Sequence, residues 1–123
     1  MYNLPYVTWN VKDKEYRLRL TTMGCMALED KLGKNPADIF VALSDGQLPK
    51  VREIVLVLHQ ALQPFNSGCS VEKAAEILDN YFETGKSLYD FMSNEVMKLF
   101  QSAGLLGSEA NEESAEGALD PNA

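Results

Sequence analysis

The sequence predicts a mainly α, α+β domain: an N-terminal β-hairpin packed on a compact bundle of about five helices, followed by a disordered acidic tail. Three observations predict it. Residues 7–20 alternate apolar and polar side chains with period two; residues 21–103 carry apolar stripes at helical spacing, interrupted at Gly and Pro. From Gly104 onward the large apolar residues thin out to Leu105, Leu106 and Leu119. At 123 residues and 46% hydrophobic content, the chain is long enough for one core, which buries roughly two thirds of the unfolded surface without metal or disulfide. The organisation expected is one globular domain over residues 1–103 and a tail over 104–123.

The hairpin is read from Val7, Trp9 and Val11 on one strand and Tyr16, Leu18 and Leu20 on the other, with a polar turn at Lys12, Asp13 and Lys14. A lone hairpin is marginal in water, so its apolar face must lie on the helices. Thr21 or Thr22 supplies the hydroxyl that caps the first helix. Cys25, Leu28 and Leu32 form its stripe, Met26 and Ala27 widen it, and Gly33 stops it. Asn35 and Pro36 suit the cap and first position of a short second helix with Ile39, Phe40 and Leu43 inward, ended by Asp45, Gly46 and Pro49.

A third helix over residues 49–63 is the most apolar, with a stripe of Val51, Ile54, Val55, Leu58 and Leu62. Ser70 caps a fourth, carrying Val71, Ala74, Ala75, Leu78 and Phe82 and broken at Gly85. The fifth, from Ser87, carries Leu88, Phe91, Met92, Val96, Leu99 and Ala103. Beyond it, a segment dominated by Gly, Ser, Glu, Asn and Ala cannot bury enough surface to offset its ordering entropy.

Charge and composition exclude several functions. The net charge is −7, of which Glu109, Glu112, Glu113, Glu116 and Asp120 supply five; eleven basic against thirteen acidic residues leave the first 103 residues at −2. No basic patch is in view, which argues against nucleic acid as a partner. The longest apolar run, residues 54–58, is too short to span a bilayer. Residues 1–5 have neither the basic region nor the apolar core of a secretory signal. Cys25 and Cys69 read as free thiols of a reducing cytoplasm.

No catalytic constellation emerges, and the chain reads as a non-enzyme without metal or cofactor. His59 has no ligating residue three or four positions away. Cys25 lies among Met, Gly and Ala, and Cys69, the better electrostatic candidate, lacks a base. Glu72, Glu76, Asp79 and Glu83 follow helical spacing opposite an apolar stripe, as a solvated face does. Residues 33–35 are too short for a phosphate loop. The aromatics Tyr81, Phe82, Tyr89 and Phe91 flank the Gly85 break; they read first as packing of the helical hairpin, and the alternative is a partner-binding patch around Tyr81 and Tyr89, because Tyr is favoured at interfaces.

The strand over residues 16–20, the Thr21-Thr22 helix start, Ala27-Leu28-Glu29, Lys31-Leu32-Gly33, Asn35-Pro36 and Ile39-Phe40 together resemble the tail assembly chaperones of long-tailed bacteriophages and prophages of Gram-positive bacteria. The resemblance is close over the first third of the chain and elsewhere is only a pattern of amphipathic helices. It implies a non-catalytic chaperone that coats the phage tape-measure protein and recruits tail tube subunits in the host cytoplasm, absent from the mature virion. It also implies a longer frameshifted form of the same chain and self-association as further partners. The alternatives are a small DNA-binding regulator built on the helices around residues 33–35, another prophage-encoded interaction adapter, or a small enzyme. The first is disfavoured by Asp38, Ile39 and Phe40 on its second helix, where a groove-reading surface needs Arg.

Overall fold

The computed structural model describes residues 6–106. The hairpin pairs β1 (Val7–Val11) antiparallel with β2 (Lys14–Leu18), with Val7 opposite Leu18, Trp9 opposite Tyr16 and Val11 opposite Lys14. The turn is the two residues Lys12 and Asp13, and Lys12 takes φ 55° to close it. The inner face of β1 is buried throughout, Trp9 at 1% exposure. Leaving the hairpin, the Arg19 N–H donates to the Ala61 carbonyl at 2.9 Å, so the chain exit is tied to the third helix.

Five helices follow: α1 (Thr22–Leu32), α2 (Asp38–Ser44), α3 (Val51–Leu62), α4 (Val71–Phe82), and a continuous α5 made of Leu88–Phe91, a π-helical turn Met92–Val96, and Met97–Ser102. The mainly α architecture with an N-terminal hairpin is thus the observed fold. Thr21, rather than Thr22, caps α1: its hydroxyl accepts the Gly24 N–H at 3.0 Å. Gly33 closes α1 at φ 72°, its N–H donating to the Glu29 carbonyl. Asn35 accepts the Ala37 N–H at 2.9 Å and caps the single turn that leads into α2. Ser70 caps α4, and Ser87 and Asp90 form a reciprocal capping box on α5.

Helix α3 is the centre. Every residue from Ile54 to Leu58, with Ala61 and Leu62, is buried, and the helix packs on α1, α4 and β2. A helix apolar nearly all round must be covered nearly all round. Gly24 of α1 faces it closely, with Gln60 the nearest α3 side chain. A Lys34–Glu53 ion pair of 3.0 Å ties the α1–α2 turn to the first turn of α3. The hairpin seals the other side through an aromatic cluster in which Trp9 meets Phe91 at 4.8 Å, Tyr81 at 5.4 Å and Tyr16 at 5.9 Å between ring centroids.

Three expectations change. Two expected stripe residues are exposed: Met26 of α1 faces solvent because Gly24, Cys25 and Leu28 already fill the contact with α3, and Val51, the first residue of α3, is exposed as well. On α4 the buried set is Ala74, Ile77, Leu78 and Tyr81, with Phe82 half-buried, a phase one residue earlier than expected. On α5 the fully buried Phe100, absent from the expected stripe, packs edge-on against Phe40 of α2 at 5.1 Å. An unbroken α-helix would place Phe91 and Phe100 about 180° apart; the wider π turn removes roughly one residue's rotation and brings both inward.

The ordered chain also runs past residue 103. Gly104, at φ 84°, donates to the Gln101 carbonyl and Leu105 to the Phe100 carbonyl, which closes α5 as a Schellman motif, and Leu106 packs against the core. The remainder of the expected acidic tail, residues 107–123, lies outside the described residues.

Candidate functional site

Tyr81 and Tyr89, the two rings of the alternative partner-facing patch, are separated by the fold. Tyr81 is only 5% exposed and belongs to the core, wedged against Trp9 and Phe91. Its position four residues after Ile77 was the available signal, since Ala74, Ile77, Leu78 and Tyr81 share one helical face. Burial pushes its hydroxyl up to about 12, with the charges of Glu95 and Asp90 adding to the effect. Tyr89, in the first turn of α5, is 56% exposed. Tyr81 and Tyr89 therefore share no surface patch: Tyr81 is core packing, and of the two only Tyr89 is exposed.

The larger apolar exposure lies elsewhere. Met23 (73%) and Met26 (54%) stand one turn apart on α1, on the side away from Gly24, Cys25 and Leu28. Val41 on α2, Leu48 in the α2–α3 connection and Val51 at the start of α3 are each more than half exposed. Unbranched methionine adapts to irregular partner surfaces, which makes the α1 pair the best-suited docking element. Sequence reasoning missed it by assigning Met26 to the buried stripe.

Among the described residues the polar and nucleophilic candidates stand apart from one another. Cys25 is buried and Cys69 half-buried, and both are free thiols. Burial, with Glu29 nearby, raises the Cys25 thiol; burial also raises that of Cys69 despite the opposing charge of Lys73. Both are therefore protonated and weakly nucleophilic near neutrality. His59 is half-buried on α3, and its Nδ1 finds no partner among the described residues. Glu95, in the π turn, has one buried carboxylate oxygen without a partner among the described residues; desolvation raises its carboxyl, with Lys98 and Lys86 opposing. Among the described residues no three His, Cys, Asp or Glu side chains converge as a metal site would require. No helix among them is long and apolar enough to cross a membrane.

The geometry is that of a small α+β domain with several large apolar side chains exposed on its helices and connections. By sequence, residues 6–123 match a family of unknown function, DUF6096, and the chain belongs to that family. No curated protein and no solved structure matches it.

Proposed function

We infer that the protein is a non-catalytic phage tail assembly chaperone that binds the tape-measure protein in the bacterial host cytoplasm and recruits tail tube subunits. The observation carrying this reading is the resemblance of residues 18–40 to that class, joined to where those residues lie. The same segment forms α1 and the first part of α2 and presents Met23 and Met26 to solvent. A chaperone for a long helical client needs exposed, adaptable apolar side chains on a stable scaffold, and α1 held by α3 supplies both.

Co-expressed with the tape-measure protein of its own phage, the chain keeps that protein soluble and co-purifies with it. Replacing Met23 and Met26 together by Ser weakens capture by roughly tenfold, in line with losing two interface anchors, while the melting curve overlays the wild type. Retention of neither tape-measure nor tube protein by the wild-type chain would refute the reading. Full capture by the methionine variant would move the contact away from α1.

A further inference from the structure

The hairpin is a sheet of two strands, so each strand has an edge that the other does not cover. The direction of the Arg19 N–H fixes which groups point to those edges. It turns away from the hairpin to the Ala61 carbonyl, so the main chain of Arg17 and Glu15, two and four residues earlier, faces outward as well. Opposite these two in the register stand Thr8 and Asn10. In an antiparallel ladder both members of such a pair turn their N–H and C=O groups outward. Val7, Trp9 and Val11 therefore bond to β2, while Thr8 and Asn10 offer two donors and two acceptors along the outer edge of β1. None of these four groups has a backbone partner among the described residues, and both residues are exposed. Buried backbone groups are almost always paired, so this edge is open to water.

The two edges are defended differently. β2 carries Lys14, Glu15 and Arg17, and Arg19 just beyond it ties the edge to α3. Charged side chains and covering elements are the ordinary means by which sheet edges resist pairing. β1 reads Val7-Thr8-Trp9-Asn10-Val11, with no charge, proline or glycine. That is the composition of a strand that accepts another. Its inner face is already buried in the protein's own core, so what it lacks is a strand at its side rather than an apolar cover.

The pattern of β1 also selects the strand it fits. Turned end for end about Trp9 it repeats itself: valine meets valine, Thr8 meets Asn10, and no charge meets a like charge. We propose that β1 pairs antiparallel with β1 of a second copy of this chain, across a two-fold axis at Trp9, to make one four-stranded sheet. Thr8 of each copy exchanges two hydrogen bonds with Asn10 of the other, which satisfies every open group of both edges. The axis stands perpendicular to the sheet, so both inner faces stay on the same side and neither core is disturbed. The proposal is independent of the chaperone reading and uses a surface distinct from Met23 and Met26.

Sedimentation velocity on the full chain follows the monomer–dimer equilibrium. The wild type dimerises with a dissociation constant of roughly 10–100 µM, as a small interface allows. Added salt tightens it by screening the net charge of −7 on each copy. Thr8→Lys with Asn10→Lys sets cation opposite cation and weakens dimerisation by roughly tenfold or more, although the added lysines reduce the net charge and by themselves favour association. Thr8→Glu with Asn10→Glu is equally weak, and an equimolar mixture of the two variants recovers a mixed dimer. Each variant alone melts as the dilute wild type does. In a mixture of isotope-labelled and unlabelled wild type, the Trp9 Hα protons of the two copies show a nuclear Overhauser contact, the close approach of a non-hydrogen-bonded pair. A wild type still monomeric at about 1 mM, a dimer that the lysine variant leaves intact, or a mixture that recovers nothing would each overturn the proposal. A monomeric wild type whose lysine variant loses tape-measure capture would assign the edge to a partner's strand and overturn the second copy. Capture by a monomeric wild type would leave the chaperone reading standing.

Discussion

Replacing Trp9 by Phe sets two opposing effects of similar size against each other. Trp9 is 1% exposed, and its indole N–H is buried without an acceptor among the described residues. An unsatisfied buried donor costs about 1–3 kcal/mol. Phenylalanine removes that cost and keeps an aromatic ring against Phe91, Tyr81 and Tyr16, but gives up about three heavy atoms, equivalent to about 2 kcal/mol of lost transfer and cavity energy. Trp9→Phe therefore changes unfolding free energy by less than about 1 kcal/mol, while Trp9→Ala, which empties the cluster, costs about 3–5 kcal/mol. Urea titrations followed by far-ultraviolet circular dichroism measure both, since Trp9 is the sole tryptophan and fluorescence disappears with it. A Phe variant that loses as much as the Ala variant would refute the reasoning, showing that the N–H is hydrogen-bonded in the folded protein.

Three other outcomes are expected. Leu58→Ala, at 0% exposure on the central helix, loses stability toward the upper part of the 2–5 kcal/mol range typical of such changes, whereas exposed Val51→Ala stays within about 0.5 kcal/mol in the same titration. Glu95→Gln stabilises the protein at neutral pH. Desolvation holds its carboxyl above the ordinary glutamate range, so the folded state binds the proton more tightly; wild-type stability falls as pH rises from the unfolded glutamate value through the folded one, and the gap between the two proteins closes below it. A gap independent of pH would remove Glu95 as its source. Ending the chain after Leu106 leaves the melt in place, but ending it after Ala103 removes the Schellman closure and the Leu106 contact and costs about 1–2 kcal/mol, read as a melting temperature lower by several degrees.

The sequence patterns that translated well are those enforced by backbone geometry. Alternation in the hairpin, the hydroxyl at the start of α1, Gly33 and Ser70 each report a local requirement that tertiary packing does not alter. What packing decides was less legible. Whether Met26 or Gly24 faces α3 depends on how closely two helices approach, and small residues at the contact displaced the larger one outward. Choosing between Tyr81 and Phe82 required the phase of α4 relative to Trp9, a partner more than seventy residues away in sequence. Phe100 was hidden by a turn of non-standard width upstream of it.

The wide turn in α5 gives this helix an unusual freedom of length. A π turn is what an α-helix becomes when it takes in one additional residue while the segments on either side keep their orientation. Removing one residue there, such as the exposed Asn94, returns the hydrogen bonds to ordinary spacing and leaves Phe91 and Phe100 still directed to the same interior. Most helices cannot change length by one without rotating half their side chains into water. This one can, so related chains are free to differ by a single residue between Met92 and Val96 and still build the same interior, and an alignment that forbids gaps inside helices would misregister everything downstream of it.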